Sequence, residues 1–151
     1  MILLDTNVIS EPLHAAPEAR VVAWLDAQPL ETLFLSVVTV AELRYGVARL
    51  PNGRRRKLLA ERLETQVLLA FAGRVLAFDL PATQAYADLM AKAQAAGQSI
   101  GMAGGLIAAI AKTHGMTVAT RDTAPFAAAG VAVIDPWRQS PRPEGRGLSL
   151  Y

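Results

Sequence analysis

The feature that most constrains the fold of this chain is a set of five short, unbroken apolar runs separated by segments with helical spacing. The runs predict strands at residues 2–4, 32–38, 74–78, 116–119 and 131–134. Strands that are apolar throughout have both faces covered, and strands that alternate with helices form parallel sheets. We therefore predict an α/β fold in which helices flank both faces of a mostly parallel central sheet.

Proline, glycine and polar residues mark where the intervening segments begin and end. Residues 5–7 predict a helix-capping turn, and Asp79 is predicted to cap a helix at its first turn. Helices are predicted from Pro17 to near Pro29 and at residues 38–50, 54–72, 82–96, 102–114 and 123–128. One domain therefore spans residues 1–137. The tail at 138–151, with three arginines, two prolines and two glycines, is expected to be disordered or to wrap a partner.

The composition excludes several classes of protein. The chain of 151 residues has no cysteine, which rules out disulfides and thiolate zinc sites and makes the cytoplasm the expected location. Its start lacks the pattern of a signal peptide, and its longest apolar run, near residues 101–111, is too short to span a membrane. The basic cluster at residues 54–57 is either a solvated helix start or an RNA contact.

Three acidic residues follow the predicted strands. Asp5 ends the first, Glu42 lies one helical turn after the second, and Asp122 lies just after the fourth. The carboxyl ends of parallel strands meet at one edge of a sheet, so we expect these side chains to be close together. Clustered carboxylates call for a cation, and oxygen ligands favour Mg²⁺ or Mn²⁺. Such a site would suit hydrolysis of a phosphodiester bond.

Each acid also has a purely structural interpretation. Asp5 could cap the next helix together with Asn7, and Asp122 could cap the turn that begins at Thr123. Glu42 lies three residues after Thr39, which is the spacing of a capping box. These interpretations stay open at the level of sequence, and only the convergence of the three acids favours a functional site.

Four segments carry a resemblance to a known family: LLDTNVIS (3–10), SVVTVAELRYG (36–46), ATRD (119–122, with Phe126) and VIDPW (133–137). In this order they resemble the PIN-domain ribonuclease toxins of the VapC type, and most of all their FitB-like branch. The resemblance implies a PIN-like three-layer fold and a toxin of a type II toxin-antitoxin system. Such a toxin is a homodimeric endoribonuclease that hydrolyses RNA with Mg²⁺, and Mn²⁺ is an alternative. It is neutralised by a small antitoxin, and it contacts DNA only through that antitoxin.

By the same resemblance, Asp5, Glu42 and Asp122 are the catalytic and metal-binding residues, with Thr6 and Thr120 as supporting hydroxyl groups. The chain departs from the family's pattern at Gly104, in MAGGLIAA (102–109), where the family has a further site acid. Two adjacent glycines in the first turn of a helix are also unfavourable, at about 1 kcal/mol each relative to alanine. The sequence thus reads as though a carboxylate had been removed.

Three accounts of Gly104 are open: a lineage that lost or altered its activity, an inactivating change selected or introduced so that a toxic protein could be expressed, and a site that works with fewer ligands. We favour the second. A catalytically inactive PIN domain that still dimerises and binds an antitoxin is the alternative function. A phosphatase of doubly wound topology is disfavoured, because it would need a second aspartate at position 7, which is Asn7.

Overall fold

A computed structural model of the chain describes residues 1–139. The central sheet has five parallel strands: β1 (Ile2–Leu4), β2 (Leu33–Ser36), β3 (Val75–Leu76), β4 (Thr117–Ala119) and β5 (Val133–Ile134). Their order across the sheet is β3-β2-β1-β4-β5. Strands β2 and β3 therefore lie on one side of β1, whereas β4 and β5 lie on the other, so the order in which strands are added to the sheet reverses at β1. The predicted α/β class and the parallel sheet are confirmed.

Helices surround the sheet: α1 (Thr6–Ser10), α2 (Ala19–Asp26), α3 (Val37–Ala48), α4 (Arg54–Arg62), α5 (Leu68–Ala70), α6 (Leu80–Ala95), α7 (Met102–His114) and α8 (Thr123–Ala128). A π-helical segment, Leu63–Val67, joins α4 to α5 without a break, and short 3₁₀ turns lie at Glu11–Leu13 and Leu30–Thr32. The first helix, α1, was predicted only as a turn, since five residues are too few for a helical apolar pattern. None of the helices formed by residues 1–139 is long and apolar enough to cross a membrane.

Neighbouring residues of a strand bury their side chains in opposite layers of the core. Leu4 packs in one apolar cluster, with α1, α2, α3, the π-helical segment and α5, whereas Leu3 packs in the other, with α6 to α8. Both side chains are fully buried. Because successive side chains of a strand point to opposite faces, this separation shows that both faces of the sheet are covered.

Local chemistry sets the ends of the helices that lie near the sheet edge. The Ser36 hydroxyl oxygen accepts the Thr39 N–H at 3.1 Å and so begins α3, which is why β2 ends two residues earlier than predicted. The Asp79 carboxylate accepts the Ala82 N–H at 3.2 Å, which confirms its predicted capping role. Helix α7 ends at Gly115, whose φ of +64° is in the left-handed region that glycine adopts readily.

Helices α6 and α7 pack closely at Gly105. A Cβ atom there would lie 2.9 Å from the Met90 Sδ and 3.1 Å from the Tyr86 Cε2. A Cβ atom at Gly105 would therefore force Met90 and Tyr86 to move, so glycine suits the close packing of the two helices. The part of the predicted tail beyond residue 139 lies outside the described residues.

Candidate active site

A cleft of about 440 Å³ lies at the carboxyl ends of β1 and β4. Asp5, Glu42, Asp122 and Gly104 all line it, as do the start of α7 and the first turn of α8. The structure therefore brings together the four positions that the sequence singled out. Two separate halves of the chain supply them, since Asp5 and Glu42 precede α4 and the other two follow α6.

Asp5 has two structural partners and still faces the cleft. Its Oδ1 accepts the Thr6 N–H at 2.9 Å, which confirms that it caps α1, and its Oδ2 accepts the Thr120 hydroxyl at 2.8 Å. Burial raises the pKa of Asp5, and the nearby carboxylates of Glu42 and Asp122 raise it further, while the hydrogen bonds from Thr120 and Thr6 oppose this rise. The ionised carboxylate is thus destabilised where it lies, and a cation would relieve the cost.

Glu42 lies on α3, and the capping box predicted for it does not form. The cap is Ser36, so Thr39 is already the third residue of the helix and its N–H is satisfied. The Glu42 carboxylate instead turns towards α1, where its Oε1 accepts the Thr6 hydroxyl at 2.7 Å. The structural interpretation of this acid is therefore wrong, and its side chain is directed to the cleft.

Asp122 precedes α8 at the capping position, but its side chain makes no capping hydrogen bond. Its backbone N–H donates to the Thr120 hydroxyl oxygen at 3.1 Å, so the buried Thr120 connects the backbone of Asp122 to the carboxylate of Asp5. Within residues 1–139 the Asp122 carboxylate has neither a hydrogen bond nor an ion pair. Of the three acids it is the one whose oxygens are free.

Gly104 is the third residue of α7 and faces the cleft. A Cβ atom added there would meet only the Ile100 Cγ2, at 3.9 Å, which is ordinary van der Waals contact. The two adjacent glycines therefore differ: a Cβ atom at Gly105 would displace Met90 and Tyr86, whereas one at Gly104 would displace no neighbour. A side chain at position 104 would extend into the space that the three acids border.

Asn7 is a cleft residue that the sequence suggested only as a partner of Asp5 in capping. Its side-chain Oδ1 is buried and has no hydrogen-bond partner within the described part of the chain. An unpaired buried amide oxygen costs about 1–3 kcal/mol unless a donor or a cation satisfies it. In the sequence, the only indication of a site role for Asn7 was its position two residues after Asp5, and that position indicated a helix cap equally well.

The donors at this cleft suit a hard divalent cation. They are carboxylate oxygens and one orphaned amide oxygen, all of the type that Mg²⁺ prefers. Within residues 1–139, however, no three acidic or histidine side chains are grouped tightly enough to form a closed metal site. The residues therefore fit a cation that keeps several of its waters, which is the usual condition of Mg²⁺ in proteins.

Comparison with known proteins agrees with the fold. The family model "PIN domain" matches residues 2–131. A VapC ribonuclease, Y4jK, of Sinorhizobium fredii is 60% identical over 137 residues, covering 91% of this chain and 98% of its own. The toxin FitB of Neisseria gonorrhoeae is 58% identical over 137 residues, with coverage of 91% and 99%. A chain in the crystal structure of FitAcB from the same organism superposes with a TM-score of 0.90 at 57% identity, covering 92% of this chain and all of that one.

Proposed function

The chain belongs to the PIN-domain family, and on that premise we propose that it is the toxin of a type II toxin-antitoxin system, an endoribonuclease that hydrolyses RNA phosphodiester bonds with Mg²⁺ or, alternatively, Mn²⁺. The observation that carries the proposal is the meeting of Asp5, Glu42 and Asp122 at one cleft. The names of the two relatives, a ribonuclease and a toxin, support the activity and the biological role. The cytoplasm, where RNA is available, is the proposed location.

Asp5 and Glu42 would hold the cation, because Thr120 and Thr6 already fix the direction of their carboxylates. When bound, a divalent cation lowers the pKa of an attacking water and offsets the charge that builds on the phosphate. Asp122, whose oxygens are free, is suited to orient that water and to accept its proton. The charged side chains that line the cleft are carboxylates, which repel a phosphate group, so a bound cation would also offset that repulsion.

Gly104 lowers the expected activity of this chain. We propose that Gly104 results from an inactivating change that removed a carboxylate, since position 104 borders the cleft and a Cβ atom there would meet no close neighbour. An acid at the third position of α7 would also interact favourably with the helix N-terminus, by about 0.3–1 kcal/mol. With one ligand fewer, the cation is held more weakly and turnover falls, while the fold stays intact.

The experiment is to restore the acid with Gly104→Asp and to measure cleavage of a mixed-sequence RNA with Mg²⁺ and with a chelator. Gly104→Ala and Gly104→Asn are the matched controls, because they stabilise the helix or fill the space without adding a charge. We expect cleavage that depends on Mg²⁺ in the aspartate variant and much weaker cleavage in both controls. If Gly104→Asp is no more active than this chain, the inactivation account is refuted.

Gly104 also favours the second candidate function, a catalytically inactive PIN domain that acts as a dimeric antitoxin-binding module. Both functions require a homodimer and a small cognate antitoxin, and in both the chain would contact DNA only through that antitoxin. The two differ in RNA cleavage alone. A chain that binds its antitoxin tightly, and cleaves RNA neither as it stands nor as Gly104→Asp, would be the binding module.

A further inference from the structure

We propose that Thr39 is a positioning residue for Glu42, acting through a chain of hydroxyl groups that runs from Ser36 through Thr39 and Thr6 to the Glu42 carboxylate. The inference deepens the proposed function, and it rests on that function only in giving Glu42 a role in holding the cation. Neither Ser36 nor Thr39 lines the cleft, so any effect that they have on it passes through Thr6 and Glu42.

The distances along this chain are those of hydrogen bonds at each step. The Ser36 Oγ lies 3.3 Å from the Thr39 Oγ1, the Thr39 Oγ1 lies 3.1 Å from the Thr6 Oγ1, and the Thr6 Oγ1 lies 2.7 Å from the Glu42 Oε1. Ser36 and Thr39 are both fully buried. Together with Thr120 they are the buried polar residues within the described part of the chain, and all three lie behind the cleft acids.

Counting the hydroxyl protons fixes which group donates and which accepts at each step of the hydroxyl chain. A carboxylate only accepts, so the single proton of the Thr6 hydroxyl goes to Glu42. The oxygen of Thr6 is then free to accept, and Thr39 donates to it; the oxygen of Thr39 in turn accepts from Ser36. Every hydroxyl proton has one acceptor, and the chain ends on a negative charge. Hydrogen bonds arranged in this order polarise and strengthen one another.

This arrangement determines which oxygen of Glu42 remains for chemistry. The side chain is exposed, and an exposed glutamate on a helix ordinarily samples several rotamers. Here the Oε1 is held by the Thr6 hydroxyl, which is itself oriented by Thr39, and the Oε2 is left to meet a cation or its bound water. The hydroxyl chain thus couples the start of α3, which Ser36 caps, to the direction of the Glu42 side chain further along the same helix.

Thr39→Val tests the proposal because valine keeps the shape of the side chain and removes its hydroxyl. The Thr39 N–H that Ser36 accepts is a backbone group, so the cap of α3 survives the change. Thr39→Ser returns the hydroxyl and is the rescue variant. Thr113→Val is the control, because it removes a threonine hydroxyl that bonds the Ala109 carbonyl oxygen at 2.8 Å, and within residues 1–139 Thr113 is not among the residues that line the cleft.

Two readouts are needed, both on the whole chain and each repeated with Gly104→Asp. The first is the Kd for Mn²⁺, measured by titration calorimetry. Removing a direct support of a metal ligand typically weakens binding about 10–100-fold, so we expect a loss in that range for Thr6→Val and a smaller, several-fold loss for Thr39→Val. Thr39→Ser should restore the parent value, and Thr113→Val should leave it unchanged.

The second readout is metal-free: the rotamer distribution of the Glu42 side chain, from NMR scalar couplings between its Hα and Hβ protons. We expect one rotamer in the parent and in Thr39→Ser, and averaging among rotamers in Thr39→Val. If Glu42 keeps a single rotamer in Thr39→Val, or if the Mn²⁺ affinity falls equally in Thr113→Val, the proposal is overturned. If Mn²⁺ binds neither to this chain nor to Gly104→Asp, while Thr39→Val still changes Glu42 from one rotamer to several, the proposed function fails and the positioning role stands.

Discussion

Asp5→Asn should stabilise the protein at neutral pH when no divalent cation is present. The folded state raises the pKa of Asp5, chiefly by burial and also through Glu42 and Asp122. Asparagine removes that charge and its Oδ1 can still accept the Thr6 N–H. Its amide N–H can donate to the Thr120 oxygen, which reverses that hydrogen bond and leaves the Thr120 hydroxyl proton without the acceptor that Asp5 provides. The substitution therefore separates the cost of the charge from the benefit of the cap.

The sign and the pH window follow from proton binding. Between the ordinary pKa of 3.8 and the raised pKa of the folded state, the folded protein holds more protons at Asp5 than the unfolded chain, so stability falls as the pH rises. Above that interval the whole cost is present, at about 1.4 kcal/mol for each unit by which the pKa is raised. The advantage of Asp5→Asn should thus be absent well below pH 3.8 and should grow as the pH rises through that interval.

Urea unfolding in a chelating buffer across this pH range measures the difference directly. Asp79→Asn is the matched control, since Asp79 also caps a helix but lies outside the cleft. It should lose about 0.3–1 kcal/mol at neutral pH, because a charge is removed from a helix N-terminus. A divalent cation at 100 times its Kd should raise the free energy of unfolding of the Asp5 protein by about 2.7 kcal/mol. It should therefore oppose the stability advantage of Asp5→Asn. If Asp5→Asn is destabilised at pH 7 as Asp79→Asn is, the charge on Asp5 is not a cost and the reasoning is refuted.

Two further changes test the surroundings of the cleft. Gly104→Ala should raise the free energy of unfolding by about 1 kcal/mol, which is the helix propensity difference between glycine and alanine. Gly105→Ala should lose this gain, because its Cβ would lie 3.1 Å from the Tyr86 ring. If urea unfolding shows equal effects for the two variants, the packing argument is contradicted. Thr120→Val removes a hydrogen bond that lowers the pKa of Asp5, so the decline of stability with rising pH should extend to higher pH than in Thr120→Ser. Identical pH profiles for the two would exclude Thr120 as a support of the charge.

The sequence was sufficient for those parts of the fold that depend on apolar pattern and on residues that end helices. The predicted bounds of α7 and α8 agree with the structure, because glycines flank α7 and α8 lies between a capping position and Gly130. The bounds of β1 were predicted correctly, but the other four strands were predicted too long, since an apolar run does not reveal where pairing stops. At β2 the buried Ser36 ends the strand and begins α3, and a serine within an apolar run reads equally well as part of either.

At the site, position in the chain was predictable and side-chain direction was not. Asp5 and Asp122 closely follow strands, Glu42 lies in the helix that follows β2, and these positions were enough to indicate that the three acids meet at one cleft. The capping box at Glu42 was wrong because spacing cannot tell which residue begins a helix. The orphaned oxygen of Asn7 and the buried hydroxyl groups behind Glu42 depend on contacts between α1 and α3, more than thirty residues apart in sequence, which no local pattern records.

The reversal of strand order at β1 has a consequence for how the protein is made. As the chain leaves the ribosome, Asp5 and Glu42 emerge early, and the first half can pair β1, β2 and β3 before α7 exists. Asp122 and the wall formed by α7 and α8 come only after β4 is placed against the free edge of β1. The complete cleft is therefore absent from the unfinished chain, and on the proposed function a product cut short before β4 would not cleave the transcript that encodes it.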